Sequence, residues 1–209
     1  SFLKALAQTR IYPLTDTQIS GLSHRDQVVE LSESGARLIQ LREKNLSSRE
    51  FFDEAAEAVA AARERGVKII INDRVDIALA LKADGVHLGQ DDLPVEAARR
   101  LLGPEAIIGL STHNLQQAKL AAQMPIDYVA LGPIFPTGTK NSIDPALGVL
   151  EVHQIRAVLD VPLVAIGGIS EANGREVIAA GADALAVIGE LWLAGPDSKR
   201  HRLRFMRLN

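Results

Sequence analysis

The chain of 209 residues contains no cysteine. That absence excludes a disulfide framework, a zinc–thiolate centre and a cysteine nucleophile together. No apolar run approaches the roughly 20 residues that a membrane-spanning helix needs. The opening Ser1-Phe2-Leu3-Lys4 lacks the apolar stretch of a secretion signal, so a cytoplasmic protein is expected. Aromatic residues make up only 4% of the chain, and near the basic C-terminus they are too few for a base-stacking platform. The formal net charge of −3 gives no general attraction to nucleic acid or to a membrane surface. Positive charge is nevertheless gathered at one end: Lys199, Arg200, Arg202, Arg204 and Arg207 crowd a basic segment over about 196–209. A final helix with a solvated basic side, and with Leu203, Phe205, Met206 and Leu208 turned inward, accounts for that segment.

What the chain does have is a beat. Short, β-branched apolar runs recur at Ile11–Leu14, Leu38–Leu41, Val67–Ile71, Gly85–Leu88, Ala106–Leu110, Tyr128–Leu131, Leu163–Ile166 and Ala184–Ile188. Between them lie stretches with helical spacing, among them Ser48–Arg65, Val75–Leu81, Pro94–Leu102, Leu115–Gln123, Val149–Leu159 and Glu171–Ala180. Near-continuous apolar strands alternating with helices predict an α/β fold with a parallel sheet covered on both faces. Ser47, Ser48 and Glu50 offer a capping start to a helix, and Gly66 and Gly181 follow helical stretches where a left-handed residue is wanted. No linker or low-complexity run divides the chain, which predicts one domain over 1–209.

A doubly wound open sheet is the competing architecture. Eight regular units, with unusual polar residues following strand after strand, favour a (β/α)8 TIM barrel, whose functional groups collect at the C-terminal ends of its strands.

Those polar residues are specific. After the second strand comes Gln40-Leu41-Arg42-Glu43-Lys44; Arg42 and Lys44 suit phosphate oxygens, although pairing with Glu43 in a solvated loop would use them as well. Strand three ends in Asn72-Asp73-Arg74 and strand four in His87-Leu88-Gly89-Gln90-Asp91-Asp92. Asp73 and Asp92, on neighbouring strands, can converge as hard-oxygen ligands for Mg²⁺; each could instead cap the helix that follows it. His87 lies inside an apolar run, where a buried, hydrogen-bonded histidine is the more natural reading than a catalytic one. His113 follows strand five and orients a neighbour or opens the next helix. The loop Gly132–Lys140 holds Thr137, Gly138, Thr139 and Lys140 in succession, a phosphate cradle or a mobile loop. Gly167-Gly168 after strand seven, and Gly189 after strand eight, let backbone amides approach a ligand where barrels often bind phosphate, or else serve tight turns.

Taken in order, the segments Gln40–Lys44, Asn72–Arg74, Gly85–Asp92, Gly109–His113, Gly132–Lys140 and Ala165–Ile169 resemble those of the thiamine-phosphate synthase family, and the likeness runs from Tyr12 through Asp183. That resemblance implies a Mg²⁺-dependent transferase joining a hydroxymethylpyrimidine diphosphate to a thiazole phosphate, with release of diphosphate. It implies pyrimidine diphosphate contacts from Gln40, Leu41, Arg42, Glu43, Lys44, Asn72 and Lys140, and a pyrimidine contact from Ser111. Asp73 and Asp92 would hold the metal. Thr137, Gly138, Thr139, Gly168, Ile188 and Gly189 would hold the thiazole phosphate. Arg42, Lys44 and Lys140 would carry the catalytic charge. The implied partners are small molecules, without nucleic acid or membrane, and compatible with a homo-oligomer. Two departures stand out: Gly189 occupies a position where the family often has serine, and the basic C-terminal segment lies outside the pattern. A thiazole tautomerase of similar fold and a non-catalytic phosphate sensor are the rival readings.

Overall fold

The computed structural model describes residues 2–6, 9–138, 145–192 and 198–208. Eight strands form a closed barrel in sequence order: β1 (Ile11–Thr15), β2 (Leu38–Leu41), β3 (Lys68–Asn72), β4 (Gly85–Leu88), β5 (Ile107–Thr112), β6 (Tyr128–Leu131), β7 (Leu163–Ile166) and β8 (Ala184–Val187). Every pairing is parallel, and β8 closes on β1 through Ile11 opposite Leu185. The TIM barrel expected from the apolar rhythm is the fold. Ten helices accompany the strands among the described residues, and no helix among them is long and apolar enough to cross a membrane.

The helices follow the expected spacing with shifted ends: α4 (Ser48–Glu64), α5 (Val75–Leu81), α6 (Val95–Leu102), α7 (Leu115–Ala121), α8 (Val149–Arg156) and α9 (Gly174–Ala179). The start of α9 is later than its apolar spacing predicts, because Asn173 diverts the backbone. Its side chain accepts from the Ser170 N–H and donates to the Gly168 carbonyl, making a turn of residues that would otherwise have begun the helix. The capping box at α4 is present, with the Glu50 N–H donating to Ser47 Oγ and the Ser47 N–H to Glu50. Periodicity assigns no range to α1 (Phe2–Leu6), α2 (Thr17–Ser20) or α3 (His24–Glu33), while α10 (Ser198–Phe205) is the final helix expected of the basic segment.

Strand alternation separates two apolar layers. Leu41, Ile69, Ile71, Val86, Leu88, Val129 and Leu131 pack outward against helices. Leu14, Leu38, Ile70, Tyr12, Tyr128 and Val164 point into the barrel, with Leu6 of α1 joining them. Burying each large aliphatic side chain contributes about 1.5–3 kcal/mol. The inner layer narrows at Gly109, where an added Cβ would lie 2.0 Å from the Tyr128 ring. Only glycine leaves room for that tyrosine.

The N-terminal rims of the strands carry a repeated clamp. Asp84, Asp127 and Asp183 stand just before β4, β6 and β8, and each accepts the N–H of a residue in the preceding strand: Ile69, Ile108 and Leu163, at 2.9, 2.9 and 2.8 Å. Each also holds a cation: Lys68, Arg99 and Arg156 respectively. This is the face of a barrel that serves stability, and it leaves the other rim for chemistry.

Candidate active site

A cleft of about 850 Å³ opens over the C-terminal ends of the strands. Gln40, Arg42, Lys44, Asn72, Asp73, Asp92, Ser111, Thr137, Gly168, Ile188 and Gly189 all line it, so residues spread over 150 positions of chain meet in one space. Thr139 and Lys140 lie outside the described residues. Gly138 is exposed beside the cleft without lining it.

The segment after β2 divides its labour. Arg42 turns into the cleft and pairs with Asp16 at 2.5 Å. Asp16 in turn caps α2, accepting from the N–H groups of Gln18 and Ile19. Leu41 packs fully buried toward the helices, so only its backbone can serve the cleft. Glu43 also turns away: its carboxylate accepts from Thr17 Oγ1 and from the N–H groups of Lys44 and Asn45, each at 2.8 Å. Beneath it lies buried His24, with Nε2 3.4 Å from Glu43 and Nδ1 2.7 Å from Thr15 Oγ1. Burial favours the protonated Glu43 carboxyl, but the bonds from Asn45, Thr17 and Lys44 outweigh it, and the net shift is downward. Glu43 therefore shapes the loop that presents Arg42 and Lys44.

Strands β3 and β4 bring the two aspartates together. Neither caps a helix: Arg74 and Pro94 occupy the N-cap positions of α5 and α6, with no side-chain cap at either. Asp73 holds a left-handed backbone with φ of 63°, unusual for a residue with a side chain, and its carboxylate forms an ion pair with Lys44. Asp92 accepts from the Gly89 N–H at 2.6 Å and lies within hydrogen-bonding reach of the Asp73 carboxyl. Burial raises the Asp92 carboxyl above its ordinary value; the Gly89 bond and Lys44 oppose this, and the negative charge of Asp73 adds to it. Two crowded carboxylates with one mobile cation beside them form a site where a divalent ion would relieve repulsion. Asn72 Nδ2 is buried at the cleft without a hydrogen-bond partner, a donor waiting for an acceptor oxygen. Arg74, by contrast, is engaged with Asp76 and Ser48 on the surface.

On the far side the loops after β6 and β7 interlock. The Ile134 and Phe135 N–H groups donate to the carbonyls of Ile166 and Gly167, and Gly168, at φ of 63°, would place a Cβ 2.7 Å from Pro136 O. Gly189 opens a short 3-10 turn, Gly189–Trp192, that continues the wall past β8. His113 Nδ1 donates to the Gly132 carbonyl at 2.6 Å and so anchors β5 to this loop, as an orienting residue would.

Two lining residues, and the partner of a third, escape a reading by motif. Tyr12 and Tyr128 are the only tyrosines in the chain, and they sit mid-strand where apolar residues are expected. Asp16 follows β1 and obeys the rule applied to the other strand ends, so its position alone is a usable signal.

The sequence profile described as "Thiamine monophosphate synthase" matches residues 11–191. The chain belongs to the thiamine monophosphate synthase family. It is 43% identical to a thiamine-phosphate synthase of Clostridium novyi, over 87% of this chain and 90% of that protein. Its identity to the thiamine-phosphate synthase of Chloroflexus aurantiacus is 46%, over 86% of this chain and 83% of that one. Among solved structures, thiamine phosphate pyrophosphorylase from Pyrococcus furiosus superposes with a TM-score of 0.85 at 33% identity, covering 97% of this chain and 96% of that chain. The activity is accordingly that of the family: thiamine-phosphate synthesis, a transferase reaction of thiamine biosynthesis. The identity to thiamine-phosphate synthases over most of the chain favours the synthase over both rivals.

Proposed function

We propose that the cleft joins 4-amino-2-methyl-5-(diphosphooxymethyl)pyrimidine to a thiazole phosphate, or to its carboxylated form, giving thiamine phosphate and diphosphate. The observation that carries this reading is the pairing of Asp73 with Asp92 beside Lys44, Arg42 and the partnerless donor of Asn72, all on one side of one cleft. That side suits a diphosphate. The opposite side, with Thr137, Gly168, Ile188 and Gly189, suits a second phosphate, and Gly138 and Thr139 extend it in the family pattern.

The donor set fits Mg²⁺. That ion prefers hard oxygens, keeps several waters and is commonly held by one or two carboxylates together with substrate phosphate. Asp73 and Asp92 would hold Mg²⁺, which would supply positive charge to stabilise the diphosphate.

The protein's own groups then act by charge and position. Arg42, Lys44 and Asn72 donate hydrogen bonds to the diphosphate oxygens as the bond from methylene carbon to oxygen breaks and negative charge builds there. Lys140 adds a further charge by its place in the family pattern. The aminopyrimidine ring delocalises the positive charge left on its methylene. Ser111 and Gln40 orient that ring, and the amides of Gly168 and Gly189 hold the thiazole phosphate so that the thiazole nitrogen faces the electron-poor carbon and forms the new bond. No side-chain nucleophile takes part. Gly189 contributes its amide without the hydroxyl that serine would add. We place the reaction in the cytoplasm, among small phosphorylated metabolites.

The test is direct. Protein, both heterocyclic phosphates and Mg²⁺ are mixed, and products are followed by mass. Thiamine phosphate and diphosphate in equal amounts are expected; rearranged thiazole without coupling would refute the assignment.

A further inference from the structure

One short helix stands behind both loops that wall the second-phosphate side of the cleft. The loop after β7 brings Gly168, Ile169 and Ser170 to the cleft, and the turn after β8 brings Ile188, Gly189 and Glu190. None of the described residues of α10 lines the cleft, yet α10 bonds each loop from outside it.

At the turn after β8 the bonds fall on consecutive backbone groups. A carbonyl can only accept, so His201 Nε2–H donates to the Glu190 carbonyl, at 2.9 Å. The N–H of the same peptide unit, that of Leu191, donates to the Ile188 carbonyl at 3.2 Å. That peptide plane is therefore held at both edges. Buried Arg202 reaches the next carbonyl, that of Leu191, at 3.5 Å, and its guanidinium lies 5.0 Å from the centroid of the Trp192 ring. Its other terminal nitrogen pairs with Glu30 of α3, which anchors the turn to the outer layer of the barrel.

The loop after β7 is held from the same helix. Arg204 Nη2 pairs at 2.7 Å with Glu171, three residues past Gly168, and His201 Nδ1 lies 3.8 Å from the same carboxylate. Just beyond α10, Leu208 packs where Gly174 opens α9; an added Cβ there would lie 2.7 Å from the Leu208 side chain. His201 thus faces both loops, one with each ring nitrogen.

Gly189 is the reason such bracing matters. It has no hydroxyl to swing toward a phosphate, so only backbone amides are on offer there. A glycine backbone is also the most permissive of any residue. An amide stabilises an anion well when its direction is set before the anion arrives.

We propose that His201, with Arg202 beside it, is a positioning residue for the second phosphate: it fixes the turn after β8 from behind, so that the Gly189 amide stays aimed into the cleft. This goes beyond the reading of that side as the thiazole phosphate site and rests on it. The basic C-terminal segment then serves the cleft without entering it.

Two readouts test this. In protein labelled with ¹⁵N-glycine, the Gly189 amide is identified among the 16 glycines by its loss in Gly189→Ala. Thiazole phosphate titrated alone is expected to move that signal in wild type. In His201→Ala the same movement is expected to need about tenfold more ligand, the scale of one hydrogen bond. His201→Gln, whose side-chain amide keeps a donor near the place of Nε2, is expected to recover most of that affinity. Equal affinity in wild type and His201→Ala would overturn the proposal, as would a loss that His201→Gln leaves in place. In kinetics, His201→Ala is expected to raise KM for thiazole phosphate about tenfold, with KM for the pyrimidine diphosphate unchanged. A purely structural role would lower kcat through loss of folded enzyme and leave both KM values alone; that result would overturn the positioning role. A Gly189 signal that ignores thiazole phosphate in wild type would instead strike the phosphate-site reading itself.

Discussion

Asp73 shows how much one residue can be asked to do. It adopts a left-handed backbone, pairs with Lys44 and crowds Asp92. Asparagine tolerates that backbone nearly as well as aspartate does, whereas alanine pays a steric cost of about 1 kcal/mol. Asp73→Asn is therefore expected to keep the urea midpoint of wild type, and Asp73→Ala to lower stability by about 1 kcal/mol. Both should slow Mg²⁺-dependent diphosphate release by about a hundredfold or more, as expected when a metal ligand is removed. Diphosphate release measured across a Mg²⁺ titration decides the matter, and an unchanged titration would remove Asp73 from the metal site. The sequence showed Asp73 and Asp92 at the ends of neighbouring strands but left them equally able to cap helices. Only the positions of Arg74 and Pro94 at the helix starts release both carboxylates to the cleft.

At the scale of elements, the clamps formed by Asp84, Asp127 and Asp183 tie strands together at the rim away from the cleft. Each aspartate satisfies a strand N–H and a cation together, so its loss leaves both without that acceptor. Asp183→Ala is expected to lower stability by about 1–3 kcal/mol, read as a drop in Tm, with KM for both substrates unchanged. A shift in KM would mean that the two rims are coupled. The helices could be read from apolar spacing, yet their ends moved wherever a side chain bonded locally to backbone, as Asn173 does before α9. The basic C-terminal segment gains its explanation at this scale as well. Phe205, Met206 and Leu208 are buried as their spacing predicted, and Leu203 is partly so. The surprise is Arg202, which is buried, pairs with Glu30 of α3 and lies over the Trp192 ring. Lys199 pairs with Glu33, and Arg204 with Glu171. His201 Nε2 lies 2.9 Å from the carbonyl of Glu190, next to Gly189 of the cleft wall. The cationic charge thus fastens α10 across the barrel, and only part of it faces water.

For the whole molecule, the buried His24 links stability to pH. Desolvation lowers its pKa from the usual 6.5, although Glu43, Glu54 and Asp16 pull the other way. The folded state therefore binds this proton less readily than the unfolded chain does. Its contribution is fully present above 6.5 and is lost as pH falls from there toward the depressed folded value. Urea unfolding at a series of pH values is expected to show stability declining on acidification below 6.5, and His24→Gln should flatten that decline. An unaltered slope in the variant would show that another group carries it.

The order of apolar runs and polar strand ends was enough to establish the barrel and most of the cleft. Alternation dictates which side chains can face inward, and parallel closure puts every strand end on one rim. What the linear order could not decide was direction. Leu41 and Glu43 stand within the same motif as Arg42 and Lys44 but turn toward the helices and His24, because pleating and local hydrogen bonds set orientation residue by residue. Nor could it reveal that Tyr12 and Tyr128, 116 positions apart, touch through their hydroxyls. That contact exists only once the sheet has closed and Gly109 has made room, since a distance through space is created by tertiary packing and carries no mark in local composition.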